Sequence, residues 1–450
     1  MLAKKLGTFT LTLVLLSSCQ RNESTEVRND LDHALTKVLE DLSPTGSSDY
    51  FLLPESTDLS NIPSDPLNPL TAEKVALGKM LFHETGLAIH SKTTDGMKTF
   101  SCASCHHARA GFQAGVAQGM GDGGIGFGLF GDGRVPDPNY NEDSIDVQQI
   151  RSPSAMNSAF QQVTLWNGQF GATGINTGTN SQWTAGTPKE TNNLGFEGVE
   201  TQAIAGLKVH RMDITEALLQ ELGYIEFFNS VYAAIPLSER YTRVTAGMAI
   251  AAYERTLLSN KAPFQQWLRG NAGAMSNQEK YGAVVFFDKG NCGSCHTGPA
   301  LNSMEFHAYG MKDLCDNVLP IVMRNLNASE NKGRGAFTGN PADNFKFKIP
   351  QLYNLMNSPH YGHGGNFHTV REVIEYKNAG MPENAAVPAS QLAEQFHALQ
   401  LSDEQVRAIT SFISTGLYDT ELQRYVPGSL PSGLCFPNAD QQSKLDLGCN

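Results

Sequence analysis

The chain has 450 residues, enough to bury a sizeable core and to divide into two or three domains. Hydrophobic residues make up 40% and charged residues 17%, which excludes a wholly disordered chain, and the 43 glycines point to many loops and close backbone approaches. A formal net charge of -12 excludes non-specific nucleic-acid binding as a function.

The first residues, MLAKKLGTFTLTLVLLSSC, put two lysines ahead of an apolar run from Leu6 to Leu16. That run is too short to span a bilayer and has the form of an export signal. Leu16-Ser17-Ser18-Cys19 resembles a bacterial lipobox, so residues 1–18 are expected to be a lipoprotein signal peptide whose removal leaves lipid, and a membrane attachment, on Cys19. Gln20, rather than aspartate, resembles outer-membrane sorting, and places the mature protein in the periplasm as an anchored lipoprotein. Residues 19–60 are polar after one helical pattern near Leu31 to Leu42 and read as a tether.

Further along, Thr71 is a candidate N-cap before apolar Val75, Leu77, Met80, Leu81 and Phe82, an amphipathic helix leading into SCASCHHARAGF. SNQEKYGAVVFFDKGN repeats the design, with Ser276 as cap and Tyr281, Val284, Val285 and Phe287 on the apolar side, just before NCGSCHTGPALN. Cys105 and Cys295 are 190 positions apart, the size of a domain rather than of a solenoid repeat. Helical patterns also occur at Asp213 to Tyr232, Leu237 to Asn260, His368 to Lys377 and Ser402 to Leu417, and alternating strand patterns are scarce. The expected fold is mainly α: two tandem homologous domains with long loops, at 61–270 and 271–425, followed by a cysteine-containing tail at 426–450.

In Cys-x-x-Cys-His the two thiols lie on one helical turn, close enough to form thioethers with both vinyl groups of one haem, while the histidine swings under the porphyrin to bind iron. A zinc site built from the paired thiols is disfavoured, because such pairs usually lie roughly 12 to 20 residues apart. Two covalently bound haem c groups are therefore expected, on Cys102 and Cys105 with His106 as ligand and on Cys292 and Cys295 with His296, which makes the two tandem domains cytochrome c-type haem domains. His107 is expected in a loop or at the surface. Cys315, Cys435 and Cys449 are left over, and the last two are candidates for a tail disulfide.

With these motifs in order, the sequence resembles the bacterial di-haem cytochrome c peroxidase family, which includes the tryptophan-tryptophylquinone-forming enzyme MauG. LGKMLFHETGL resembles the family's entry helix, SPSAMNSAFQQVTLWNGQFG its segment with an interhaem tryptophan, and GVETQA its segment with a catalytic glutamine. GRGAFTGNPADNFKFKIPQLYNLMNSPHYGHGG resembles the closing segment, and the likeness spans roughly residues 65 to 420. The resemblance implies that Trp166 lies between the haems and that Gln202 is the polar residue beside the peroxide-binding iron.

The departures bear on mechanism. No histidine occurs between His107 and His210, where most members carry one that blocks the first iron, and the span contains GMGDGGIGFGLFGDG, expected to be mobile. The first iron is expected to stay open. The Gly121, Gly123 and Gly126 pattern lacks a flanking strand and helix, so a nucleotide site is rejected. The family's acidic residue, ten positions after the glutamine, falls on Met212, and His210 is the preferred substitute for proton transfer, with Glu200 second. At the distal side of the second haem, where members place methionine or tyrosine, the count reaches Lys377; Tyr376 and Met381 are the preferred ligands on chemical grounds. Arg151 and Asn357 replace an asparagine and a threonine of the family's calcium site while Pro359 is kept, leaving calcium an open question.

The resulting expectation is a periplasmic peroxidase that reduces hydrogen peroxide with electrons from a small donor protein, a cytochrome c or a cupredoxin; the homodimer common in the family is implied by the resemblance alone. The alternatives are a MauG-like oxidase of a partner protein and a non-enzymatic di-haem electron-transfer cytochrome.

Overall fold

The computed structural model describes residues 19–449; the expected export segment 1–18 lies outside them, and the side chain of Cys19 is likewise not among those described. Helix α1 spans Cys19–Leu42. The apolar side chains gather into two cores. Helices α2 (Ala72–His83), α3 (Gly198–Val209) and α4 (Arg243–Arg255) pack together in the first. Helices α5 (Asn277–Phe287), α6 (Val370–Ala379) and α7 (Asp403–Ser411) build the second. Among the described residues the strands amount to two antiparallel pairs, Gly124–Ile125 with Val135–Pro136 and Phe306–His307 with Phe347–Lys348. The mainly helical class is as expected.

The duplication is physical as well as sequential. Thr71 Oγ1 accepts from the amide of Lys74 at 3.2 Å and caps α2. Ser276 Oγ accepts from the amide of Glu279, whose carboxylate accepts from the Ser276 amide at 2.6 Å, a capping box on α5. Each capped helix then crosses its partner backbone to backbone at a glycine. A Cβ on Gly78 would lie 1.8 Å from the carbonyl oxygen of Ala249 in α4, and one on Gly282 would lie 1.9 Å from that of Ala408 in α7. Only glycine permits either crossing.

The chain termini cross between the cores, which the sequence reading missed. Residues 30–60 are not a tether: Leu35, Leu39, Phe51 and Leu53 are fully buried in the second core, and the indole Nε1 of Trp267 donates to Asp32 at 2.6 Å. Leucines four residues apart make an apolar stripe on α1 that an average over polar composition conceals. The change from first to second core falls between Leu257 and Leu258, ahead of the expected boundary at 270.

Conversely, Leu422 and Tyr425 return to the first core, and the tail beyond them packs on the first Cys-x-x-Cys-His turn. Ser101 Oγ donates to the carbonyl of Pro437 at 2.9 Å, and the amide of Ala439 donates to that of Thr99 at 2.9 Å. The tail closes with a Cys435–Cys449 disulfide and helix α8 (Gln441–Leu447), while Cys315 is buried and unpaired.

That tail also explains why the glycine-rich segment is ordered rather than mobile. Arg134, 2% exposed, donates to the carbonyls of Met120 (2.6 Å) and Gly121 (2.8 Å), and Asp446 accepts from the amides of Phe127 (2.8 Å) and Gly128 (2.9 Å). The turns are wound around a buried cation and sealed by carboxylates from 300 positions away in the chain, as the Gly126 amide bond to Asp440 at 3.0 Å shows.

Candidate functional site

Each Cys-x-x-Cys-His motif forms one tight turn, Cys102–Ser104 and Cys292–Ser294, placed by the end of α2 or α5. The amides of His106 and His296 donate to the carbonyls of Cys102 (3.1 Å) and Cys292 (2.9 Å), which closes the turn and aims both imidazoles inward. Nδ1 of His106 donates to the carbonyl of Phe112 (3.3 Å), and Nδ1 of His296 to that of Leu301 (3.0 Å). Both Nε2 atoms therefore carry the free lone pair, and neither has a partner among the described residues. Occupying one ring nitrogen with a carbonyl is how proteins orient a metal-binding histidine. Burial pushes both imidazoles down to about 4 and the thiols of Cys102, Cys105 and Cys292 up to about 12, so the imidazoles are neutral and these thiols unionised.

Both histidines face one continuous cavity of about 570 Å³. Its walls include His106 and Gln202 at one end, Cys292, Cys295 and His296 at the other, and Trp166. The fit to haem is good: an apolar chamber walled by Cys292 and Cys295 at one motif, with Cys102 and Cys105 just behind the wall on the turn that carries His106 at the other, and an imidazole nitrogen left free at each. Cys102 packs on the first core and Cys292 on the second, and among the described residues the four motif thiols form no common metal-ligand group, which removes the zinc alternative.

Trp166 Nε1 donates to the backbone carbonyl of Arg151 at 2.8 Å, and its ring meets that of His363 edge-on at 6.3 Å. Gln202, from α3, presents its amide to the cavity without a hydrogen bond to any described residue. Glu200 is unavailable for proton transfer: Arg255 grips both its oxygens at 2.9 and 2.7 Å in a fully buried pair. Met212 is buried in the first core. His210 does not line the cavity, but it shares a face of α3 with Gln202, the two side chains flanking Gly206 at 4.0 Å from its Cβ position. Nδ1 of His210 bonds Asp146 at 2.8 Å; burial opposes protonation, and the Asp146 carboxylate overrides it and raises the imidazole. The imidazole itself is 38% exposed.

His107, expected in a loop or at the surface, does lie in the loop after the motif turn but is buried at 4%, with neither ring nitrogen bonded among the described residues, against Phe127 and a Gly131 whose Cβ would come within 2.2 Å of Nε2. The sequence reading also passed over Glu254, which lines the cavity, and whose carboxyl is pushed up to about 8 by burial and then by Glu200. No motif marks it; only packing brings it there.

The second end of the cavity corrects the expected ligands. Tyr376 turns away from it and donates its hydroxyl to the carbonyl of Tyr309 at 2.6 Å, while Met381 is 68% exposed beyond the end of α6. Neither lines the cavity; Lys377 does, and burial pushes its amine down to about 7.

At the position of the questioned calcium site, the Arg151 guanidinium is 1% exposed and has no carboxylate partner among the described residues. Nη1 donates to the carbonyl of Val116 (2.8 Å), and Nη2 to Ser358 Oγ (2.6 Å) and Gln113 Oε1 (3.1 Å). A fixed cation thus already sits among the oxygens. Asn357 points elsewhere, its amide donating to the carbonyl of Arg109 at 3.1 Å.

Comparison with known proteins agrees with this geometry. Residues 72–273 match the family model described as di-haem cytochrome c peroxidase. The chain is 27% identical over 369 residues to methylamine utilization protein MauG of Methylorubrum extorquens, covering 81% of this chain and 82% of that protein. It is 28% identical over 372 residues to cytochrome-c peroxidase IdrP1 of Denitromonas iodatirespirans, covering 78% and 83%. Among solved structures, a MauG-like protein associated with microbial copper homeostasis shares the fold with a TM-score of 0.55 and 21% identity, over 82% of this chain and 95% of that one.

Proposed function

We propose, from the match of residues 72–273 to the di-haem cytochrome c peroxidase model and the likeness to its relatives, that the chain is a member of that family and reduces hydrogen peroxide, which with two protons and two electrons from a donor gives two waters. The observation that carries this reading is the single cavity that holds Gln202 and His106 at one end, His296 at the other, and Trp166. When bound, two haem c groups supply the iron that takes peroxide and the capacity to store both oxidising equivalents.

The chain's own residues have distinct tasks. Cys102, Cys105, Cys292 and Cys295 anchor the groups, and His106 and His296 ligate them through Nε2. Gln202 donates its amide to the substrate oxygen. His210, which stands outside the cavity wall, handles the proton at one remove: Asp146 holds Nδ1, fixing the tautomer and leaving Nε2 to exchange protons with the Gln202 end of the cavity through solvent. Trp166 bridges the two ends, its indole fixed by the Arg151 carbonyl. We read the chain as two haem domains that exchange terminal segments, and Arg151 as the cation that makes calcium unnecessary at their junction.

We further assign the protein to the periplasm, with lipid on Cys19 after removal of residues 1–18, and its donor to the small cytochromes c or cupredoxins. The MauG-like alternative expects tyrosine at the second iron; Tyr376, bonded to the Tyr309 carbonyl, gives it no support.

Electron paramagnetic resonance of the oxidised protein tests the assignment, beside turnover of peroxide with reduced cytochrome c. One high-spin and one low-spin iron, the former lost when peroxide is added, is the expected result. Two low-spin irons inert to peroxide in every oxidation state would make it an electron-transfer cytochrome instead.

A further inference from the structure

On α6, Val370, Val373, Ile374 and Lys377 all line the cavity, the i, i+3, i+4, i+7 stripe of one helix face. Tyr376, one residue earlier, is turned by about 100°, and Met381 lies past Gly380, where the helix has ended. Of the three residues that could reach the second iron, helix phase leaves Lys377 alone on the right side.

The surroundings of that amine are unusual. Nζ lies 2.8 Å from the centroid of the Tyr309 ring and 5.9 Å from that of Phe396, and among the described residues it has neither a carboxylate nor any other hydrogen-bond partner. An amine placed on an apolar wall without an acceptor is costly, so a partner is missing from the protein itself. The nearby Cys292 and Cys295 cannot be that partner once their sulfurs are thioethers, which carry no charge. On the same chamber His296 offers a free Nε2, its Nδ1 being held by Leu301.

We infer that Lys377 is the second axial ligand of the iron bound by His296, giving a histidine and lysine pair where methionine or tyrosine would be expected. The inference rests on the haem assignment above. On ligation the ammonium proton leaves to solvent and the nitrogen lone pair forms the bond to iron; no electron changes centre. A nitrogen donor, harder than a thioether, lowers the potential of this iron relative to a methionine-ligated one and closes it to peroxide, which confines substrate to the His106 end.

The test uses the full-length holoprotein, with covalent haem counted by mass before any spectrum is taken. Wild type is expected to show one low-spin iron; Lys377→Ala and Lys377→Arg should convert that iron to high spin and let added imidazole bind, because arginine keeps the charge but has no lone pair to give. Lys377→Met should restore low spin, with a raised potential and the far-red band of thioether ligation. If Lys377→Arg leaves the low-spin signal intact, the amine is an ion-pair partner for a propionate and the inference is wrong. A high-spin second iron in wild type also overturns it. Fewer than two haems by mass would instead overturn the haem assignment, leaving the two failures distinguishable.

Discussion

The indole of Trp166 and the backbone of Arg151 are joined by a 2.8 Å hydrogen bond, and the side chain of that same Arg151 is the buried cation linking residues 113–117 to Ser358. One residue therefore sets both the orientation of the aromatic bridge and the fit between the two halves of the site.

Trp166→Phe should keep an aromatic wall while leaving the Arg151 carbonyl without its donor, at a cost of about 1–3 kcal/mol in chemical denaturation. If the indole lowers the electron-transfer barrier by ~1.4 kcal/mol or more, stopped-flow reduction of the distant iron slows at least about tenfold. An unchanged rate would reduce Trp166 to a wall of the cavity.

Arg151→Met should destabilise the fold by about 3–5 kcal/mol, since several buried oxygens lose a charged donor together. Wild type should show the same thermal midpoint with calcium and with chelator. A midpoint that falls on chelation would show that a metal ion, not the guanidinium, satisfies this junction.

Gly78→Ala and Gly282→Ala each drive a methyl group into a carbonyl oxygen, at 1.8 and 1.9 Å in the present backbone. Each should cost about 3 kcal/mol or more, because the crossing helices must separate. Gly428→Ala, with nothing within 4 Å of the new Cβ, is the control and should be close to neutral. Equal small gains at all three positions, the sign expected when a methyl group only stiffens the unfolded chain, would mean that the crossings tolerate a side chain.

The His210 and Asp146 pair gives a pH dependence of fixed sign. Its imidazole is raised above 6.5 in the folded protein, so its stabilisation is complete below about pH 6.5 and is lost as pH rises through the folded value. Because the ring is 38% exposed, the contribution is about 1 kcal/mol or less. His210→Gln should flatten the thermal midpoint between pH 6 and 8 and, if His210 moves the proton, also flatten the pH profile of peroxide turnover; a flat midpoint with an unaltered profile would leave it a purely structural residue.

Helix α2 and helix α5 were legible because their caps, Thr71 and Ser276, and their apolar residues are neighbours in the chain. Residues 30–60 were misread for the opposite reason: Leu35 and Leu39 count for little in a polar average, and their value lies in a core built from residues more than 200 positions later. The same holds for the glycine-rich segment, whose order comes from Arg134 and from Asp440 and Asp446 in the tail.

Two thiols and an imidazole within five consecutive residues are a complete attachment chemistry, so the amino-acid order alone pointed to the two haem attachment sites and to the histidine expected at each, while the structure showed which ring nitrogen is left free. That Lys377 lines the cavity with His296 while Tyr376 and Met381 do not, that His210 shares a helix face with Gln202, and that the Arg151 guanidinium lies buried against Val116, Gln113 and Ser358 were decided by tertiary structure alone. Those answers depend on the phase of a helix against a distant wall and on contacts between segments far apart in the chain, and neither is a property of any local stretch of residues.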